Sequence, residues 1–253
     1  MNRFHLARRA LCLVFLLTVS IGIAGALETG ISPRGSIGFD TAWPSTLVEM
    51  DNPDVGVGVV GGSAMYTRPS VGVAVDLMLD RVADTRAPAV GFRLSTDIIY
   101  SKSKYTQTGI MIDSDTPENS GVDDVDFTET RLSVEVAAAV KIVPVETFYF
   151  GIGGGVAIPV YAEATWKQGA GGSDSIDLEE DVEIDTGAFL LGFIGSDFPI
   201  SESLSFFVEG FGRSYLPYES KIDFNVDGMD VVMRNKYTST LGFGVNMGVT
   251  FEL

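Results

Sequence analysis

The last residues of the chain alternate strictly between apolar side chains and small or polar ones. The apolar positions are Leu241, Phe243, Val245, Met247, Val249, Phe251 and Leu253. The positions between them carry glycine, asparagine, threonine and glutamate. Because successive side chains of a strand point to opposite faces, the pattern predicts a long β-strand with one apolar face over residues 237–253.

The same alternation predicts seven more strands ahead of this closing one. They cover residues 34–43, 71–79, 90–100, 128–143, 148–166, 186–198 and 204–218. The register of the sixth and seventh stays open. The sixth is apolar on both faces, and the seventh places Glu209 and Arg213 on the same face as phenylalanines, which suggests a β-bulge. A count of ten strands, with an extra strand over 55–66, is the main alternative.

The segments between the strands alternate between long and short, and aromatic residues gather near the strand ends. On the long-loop side these are Trp43, Tyr100, Tyr161, Trp166, Tyr215, Tyr218 and Tyr237; on the short-turn side they are Phe92, Phe148, Phe198, Phe206 and Phe251. Each strand has the roughly 9–11 tilted residues that cross a bilayer. The pattern predicts an all-β fold: an up-and-down antiparallel transmembrane β-barrel of eight strands with long extracellular loops and short periplasmic turns.

In strand rhythm, loop alternation and closing strand, the chain resembles small bacterial outer-membrane β-barrels of the OmpA transmembrane-domain, OmpX and OmpW kind. The resemblance implies location in the outer membrane, with its lipid as a partner. It also implies that the barrel-assembly machinery recognises a closing signal made of Phe243, Val245, Met247, Val249, Phe251 and Leu253. We expect a monomer. Members of this group serve as structural anchors, adhesins or channels for small, often hydrophobic molecules.

The first 26 residues have the composition of a secretory signal peptide. Arginines precede an apolar run over 10–23, and Ala24-Gly25-Ala26 follows as a cleavage site. The expected domains are therefore a signal peptide over 1–26 and a barrel with four long acidic loops over 27–253. The single histidine, His5, and the single cysteine, Cys12, lie in the signal peptide. The mature chain then lacks the residues of most nucleophilic and zinc sites, so we expect no enzyme, no metal site and no cofactor.

Acidic residues dominate the mature chain. Loss of Arg3, Arg8 and Arg9 lowers Lys+Arg from 17 to 14 against 34 Asp+Glu, which leaves a net charge of 14 − 34 = −20. This charge excludes nucleic acid as a partner and argues against a basic patch at the membrane surface. The long segments over 106–126 and 169–185 concentrate the acidic residues. They suit an extracellular or host ligand of basic character, or diffuse binding of divalent cations.

Charged residues also occupy inward positions of the predicted strands. They are Arg34, Asp40, Asp76, Arg93, Asp97, Arg131, Glu135, Glu209 and Arg213. Because buried charges must be paired, both signs together predict a salt-bridge network that either plugs the lumen or gates it. An eight-stranded barrel is just wide enough to be filled by side chains or to hold one small ligand. We therefore expect a structural or adhesin-like surface role through the acidic loops, with a narrow channel for small solutes or hydrophobic molecules as the alternative.

Overall fold

The computed structural model describes residues 27–50, 55–60, 64–79, 88–113, 122–168, 177–226 and 229–253. Within these ranges the chain forms eleven β-strands. They are β1 (Leu27–Met50), β2 (Val55–Val60), β3 (Ala64–Leu79), β4 (Ala89–Asp113), β5 (Val122–Val145), β6 (Phe148–Gln168), β7 (Asp177–Ile184), β8 (Gly187–Ser201), β9 (Leu204–Tyr215), β10 (Tyr218–Val226) and β11 (Met229–Glu252). Among the described residues, no helix is long and apolar enough to span a membrane. The expected signal peptide lies outside the described residues.

Eight of these strands close into a barrel. Its order is β1, β3, β4, β5, β6, β8, β9 and β11, and β11 pairs back onto β1 through neighbours such as Phe39 and Phe243. All pairings among the described strands are antiparallel. Closure gives each barrel strand two neighbours and so leaves no free edge. The predicted eight-stranded, up-and-down barrel is confirmed.

The three remaining strands continue the barrel wall at one end. β2 lies between β1 and β4 beyond β3, while β7 and β10 lie between β6 and β11 beyond β8 and β9. Much of what the sequence suggested as loop is therefore paired strand, since hairpin pairing satisfies the backbone N–H and C=O groups. The extra strand of the ten-strand alternative exists in part as β2, but it does not become a ninth strand of the closed barrel.

The two ends of the barrel differ in their connections. Two-residue turns join β5 to β6 and β8 to β9 at one end, which we call the short-turn end. Both termini of the barrel lie there, because Leu27 pairs with Leu79 and Gly30 pairs with Glu252. The strand extensions lie at the opposite end, which we call the hairpin end. This segregation of short and long connections is the one that membrane barrels show.

The pairing of the sixth and seventh barrel strands, β8 and β9, is regular from Phe189 to Pro199 and shifts between Pro199 and Ser201, next to the turn. β9 pairs with β11 without a shift from Leu204 to Tyr215, so the suggested bulge is wrong. Glu209 and Arg213 are buried, and so are Phe207 and Phe211 on the same face. The phenylalanines that obscured the register therefore line the lumen together with the charges.

Candidate functional site

The outer surface of the barrel is apolar. Large exposed side chains point outward around the wall: Ile37, Phe39, Val71, Phe92, Ile98, Phe150, Ile152, Leu190, Ile194, Phe206, Phe243, Val245 and Met247. Soluble monomers rarely expose a contiguous apolar surface of this extent. Charged residues, in contrast, are buried inside. An apolar exterior around a polar interior is the arrangement of a barrel that lies in lipid. The fold is that of an eight-stranded transmembrane β-barrel.

Comparisons with known proteins agree with this fold. No family model and no curated protein matches the chain. Among solved structures, the outer membrane protein OprG from Pseudomonas aeruginosa is similar at 12% identity, with 90% of this chain and 96% of that chain covered and a TM-score of 0.40. The outer membrane protease OmpT from Escherichia coli is similar at 7% identity, covering 90% and 96%, with a TM-score of 0.34. Superpositions this loose carry no argument about substrate or partner.

A third similar structure is Ail, the attachment invasion locus protein of Yersinia pestis, in complex with a heparin analogue. It shares 12% identity over 87% of this chain and 99% of that chain, with a TM-score of 0.24. A likeness at this level of identity shows the fold alone, so the function of the protein is sought in its own lumen and surface.

Among the described residues, twelve buried charged side chains fill the lumen, six of each sign. The cations are Arg34, Arg68, Arg93, Arg131, Lys141 and Arg213, and the anions are Asp40, Asp76, Asp97, Glu129, Glu135 and Glu209. All nine residues that the sequence singled out are in this set, and the structure adds Arg68, Glu129 and Lys141. The interior is thus electrically balanced, as the desolvation cost of buried charge requires.

The layer nearest the short-turn end is organised around Arg93. Its Nε and Nη2 donate to the carboxylate of Asp76 at 2.6 and 2.8 Å, and its Nη1 donates to Glu209. Lys141 Nζ donates to the same Asp76 at 2.8 Å. Asn246 Nδ2 donates a further hydrogen bond of 2.7 Å to Glu209. Strands β3, β4, β5, β9 and β11 are thereby joined across the lumen.

The middle layer contains two groups of ion pairs, one around Asp97 and one around Glu135. Arg34 donates to both carboxylate oxygens of Asp97, at 2.9 and 2.5 Å. Glu135 accepts hydrogen bonds from both Arg68 and Arg213. Because Arg213 also lies 3.9 Å from Asp97, the two groups form one network. Charge-assisted, two-pronged contacts of this kind hold both partners in fixed orientations.

The layer nearest the hairpin end is a cage of tyrosines around Arg131, which we call the tyrosine cage. Arg131 donates to the hydroxyls of Tyr66, Tyr218 and Tyr237 at 3.1, 3.0 and 2.8 Å. Its guanidinium carbon also lies 4.8 to 5.8 Å from the three ring centres, within the range of cation–π attraction. Glu129 Oε1 lies 2.5 Å from Arg131 Nε and neutralises the positive charge of this arginine. The cage closes the lumen above the middle layer.

Glycines and phenylalanines form the wall opposite most of these charges. Three glycines of β6 point inward, and rings from β8 lie over them. A Cβ added to Gly151 would collide with Phe193 Cζ, and one added to Gly155 would lie 2.7 Å from Phe189 Cζ. The glycines therefore provide the space that the rings occupy.

A cavity of about 60 Å³ separates the middle layer from the tyrosine cage. Three buried polar atoms among its lining residues, Asp40 Oδ1, Arg68 Nη1 and Thr240 Oγ1, have no protein partner. This volume holds a few water molecules, or a small group with both donor and acceptor atoms. A second cavity, of about 10 Å³, lies beside Arg34 and Arg93.

The wall beside the larger cavity is irregular. β6 pairs with β8 as far as Ala157 and with β7 from Glu163, and no pairing to either strand is present over the described residues 158–162. Pro159 lies in this interval and has no N–H to donate. The pairing of β6 with β5 also shifts by one residue at this point. The cavity is therefore lined here by a stretch of β6 that pairs with β5 but with neither β7 nor β8.

Some residues lie where the sequence did not place them. The sequence predicted Tyr215, Tyr218 and Tyr237 in the outer aromatic girdle, but they face the lumen, so this prediction was wrong. A tyrosine hydroxyl can find a partner at a membrane surface or, when buried, on a charged side chain, and the alternation pattern does not distinguish the two. Tyr100 and Tyr161 do face outward. The side chains of Trp43 and Trp166 lie outside the described residues.

The additional network residues had a signal that could have been read. Glu129 and Lys141 continue the inward alternation of Arg131 and Glu135 within the predicted strand over 128–143, so the same rule places both in the lumen. Arg68 was placed in a loop, because Pro69 follows it. The residues of the closing signal face outward apart from half-buried Val249. Recognition of that signal by the assembly machinery stays a prediction.

Proposed function

We propose that this protein is a plugged barrel with a structural, surface-presenting role: a rigid membrane body that holds its strand extensions above the outer membrane for interaction with other molecules. The observation that carries the proposal is the set of ion pairs that cross the lumen. Arg34 of β1 binds Asp97 of β4, and Arg93 of β4 binds Glu209 of β9. A path for solutes would have to break such pairs, each at a cost of roughly 3–5 kcal/mol.

The strand extensions supply the surface. Among the described side chains of the hairpin end, Glu183, Asp185, Glu219 and Asp223 are exposed. The acidic segments predicted over 106–126 and 169–185 overlap these extensions in sequence, and their residues 114–121 and 169–176 lie outside the described residues. Exposed carboxylates attract a ligand of basic character, such as a basic patch on an extracellular or host protein.

Single-channel recording of the refolded chain in planar bilayers tests the plug. We expect stable insertion without discrete openings. The matched control is the double variant Arg93→Ala/Glu209→Ala, which removes one pair across the lumen without changing the net charge. Openings in this variant would show that inserted protein can be detected. Reproducible openings of the unaltered chain would contradict the plugged barrel and favour a channel.

The cavity beside the irregular wall favours one second candidate, a narrow path for small or hydrophobic molecules. Its lining includes apolar residues such as Ile99, Ala157, Pro159 and Ile184, next to the interval of β6 that pairs with neither β7 nor β8. A fluorescent apolar probe should then bind to the barrel in liposomes. Gly187→Leu, which adds a side chain at the cavity lining, should reduce binding, whereas Gly192→Leu on β8 should not. Equal binding by both variants would remove this candidate.

A further inference from the structure

The larger cavity of the lumen lies between layers whose charges are paired, yet polar atoms of its own lining residues are left over. Asp40 Oδ1, Arg68 Nη1 and Thr240 Oγ1 are buried and have no hydrogen-bond partner in the described part of the chain. The exposed fractions of Arg68 and Thr240 are only 2% and 4%. Because a buried polar atom without a partner is destabilising, these atoms favour a bound molecule that supplies the missing hydrogen bonds.

The three atoms belong to neighbouring strands on one side of the lumen. Arg68 lies on β3, Asp40 on β1 and Thr240 on β11, and β1 pairs with both of the other strands. Arg68 Nε lies 3.3 Å from Asp40 Oδ2, so the two charged groups are in contact. A guanidinium donor and a carboxylate acceptor without partners are therefore side by side, next to a hydroxyl that can either donate or accept.

The volume and the charge of the cavity restrict its ligand. A volume of about 60 Å³ corresponds to roughly four to six water-sized positions, so a compact solute of about four non-hydrogen atoms fits. Arg68 already pairs with both Asp40 and Glu135. A ligand with a net charge would leave water without finding a free counter-ion, whereas an uncharged ligand would not. The expected ligand is therefore small, uncharged and able to donate and accept hydrogen bonds.

The cavity comes close to the outer surface at the junction of β7 and β8. Its lining includes Asp185, whose side chain is exposed, and Gly187, the first residue of β8. Asp185 lies where the strand extensions of the hairpin end begin, so a solute that reaches the cavity beside it comes from water. A carboxylate at this position disfavours anions.

We propose that this cavity binds a small uncharged amide or urea, a solute with a carbonyl oxygen next to an N–H group. The carbonyl oxygen accepts from Arg68 Nη1 and the N–H donates to Asp40 Oδ1, with Thr240 Oγ1 as a third partner. Water can supply the same hydrogen bonds, but an amide fixes its donor and acceptor on one planar frame, whereas several waters must each be immobilised. The site depends neither on the surface role nor on a path through the lumen.

Four methyl-bearing solutes with the same skeleton test the proposal: acetamide, acetone, acetate and acetamidinium. Saturation-transfer difference NMR of their methyl protons, with the chain refolded in deuterated detergent, measures each dissociation constant. Acetamide should bind with a Kd of about 1 mM, which is within the range open to about four non-hydrogen atoms. The other three should bind at least about tenfold more weakly, because acetone lacks the donor, acetate lacks it and adds a charge, and acetamidinium lacks the acceptor and adds a charge.

Variants of two glycines and a threonine connect the binding to the cavity. Gly187→Leu adds a side chain at the cavity lining and should abolish acetamide binding. Gly192→Leu on the same strand, where a new Cβ meets nothing within 4 Å, should leave it unchanged. Thr240→Val keeps the shape of the side chain but removes the hydroxyl, and should weaken binding about fivefold. If Gly187→Leu fails to fold, Thr240→Val carries the test.

The other outcomes each overturn the proposal and point to a different occupant. Equal or tighter binding of acetone would identify an apolar cavity, and tighter binding of acetate or acetamidinium would identify a site for ions. No binding of acetamide to the unaltered chain would mean that the cavity holds water alone. Equal binding by Gly187→Leu and Gly192→Leu, or unchanged affinity in Thr240→Val, would place the acetamide elsewhere. Heat-modifiable gel mobility reports the folding of every variant.

Discussion

Two parts of the lumen wall are built from different residue types. The charged wall, which consists of β1, β3, β4 and β5, carries ten of the twelve buried charges, and β9 carries the other two. The ring wall, which consists of β6 and β8, contributes glycines, alanines and rings, among them Tyr149, Phe189 and Phe193. A barrel of this width cannot place long charged side chains on every strand, because they would collide at the axis.

The ring wall also stabilises the charges opposite it. The guanidinium carbon of Arg93 lies 4.7 Å from the ring centre of Phe193, and that of Arg213 lies 5.3 Å from Phe189. An aromatic face attracts a desolvated cation where no further carboxylate fits. The difference between the walls shows that the plug depends on both. Ion pairs join strands across the lumen, and rings cover the faces of the cations that remain.

The largest effect is expected from removing a shared anion of the charged wall. Glu135→Ala leaves both Arg68 and Arg213 without their main carboxylate, in a site where side-chain exposure is only a few per cent. We expect a loss of roughly 3–5 kcal/mol in the free energy of unfolding, measured by urea titration in lipid vesicles. Glu146→Ala, in an exposed turn, is the control. A loss below 1 kcal/mol for Glu135→Ala would mean that water enters the network.

A smaller loss is expected from filling the space that the ring wall needs. Gly151→Ala places a methyl group against Phe193 and 2.5 Å from the backbone oxygen of Val140, which cannot move away. Overpacking of this kind should lower the free energy of unfolding by roughly 1–3 kcal/mol. In Gly192→Ala, the new methyl group meets nothing within 4 Å, so the same titration should show little change. Equal behaviour of both variants would argue against tight ring packing.

The link between the walls can be tested by removing one ring. Phe193→Leu keeps an apolar side chain but removes the aromatic face from Arg93, and we expect a loss of about 1–2 kcal/mol. Phe92→Leu, on the outward face, makes the same chemical change without a cation nearby. The difference between the two variants in urea titration combines the lost cation–π contact with the cost of the space that leucine leaves inside the lumen. If the two losses match, the ring of Phe193 does not stabilise Arg93.

The smallest effect is expected from an ion pair outside the lumen, which has a similar N–O distance to a buried pair but more exposed side chains. Lys221 and Asp223 are 2.6 Å apart with side chains 33% and 57% exposed, whereas Lys141 and Asp76 are 2.8 Å apart at 7% and 4%. Asp223→Asn should change the unfolding free energy by less than about 0.5 kcal/mol, because water screens exposed pairs. A change of several kcal/mol in that variant would show that burial is not what separates inner from outer pairs.

Much of the architecture could be predicted from local pattern alone. Period-two alternation determines which side chains can share a face, and a long one-sided strand at 237–253 requires apolar surroundings. The eight barrel strands, and the inward direction of residues such as Arg93 and Glu135, follow from that rule. It failed where both faces carry apolar residues, as in β8, because polarity then no longer distinguishes lumen from lipid.

The sequence by itself predicted the eight barrel strands and nine of the twelve inward charges, because both depend on the spacing of neighbouring residues. Only the tertiary structure decided which charges meet. Arg34 and Asp97 are 63 positions apart, and Arg93 and Glu209 are 116 apart. Their contact depends on barrel closure and strand register, which no local pattern contains. The same holds for the tyrosine cage, since an isolated tyrosine can face a guanidinium or a headgroup, and only the closed wall selects one.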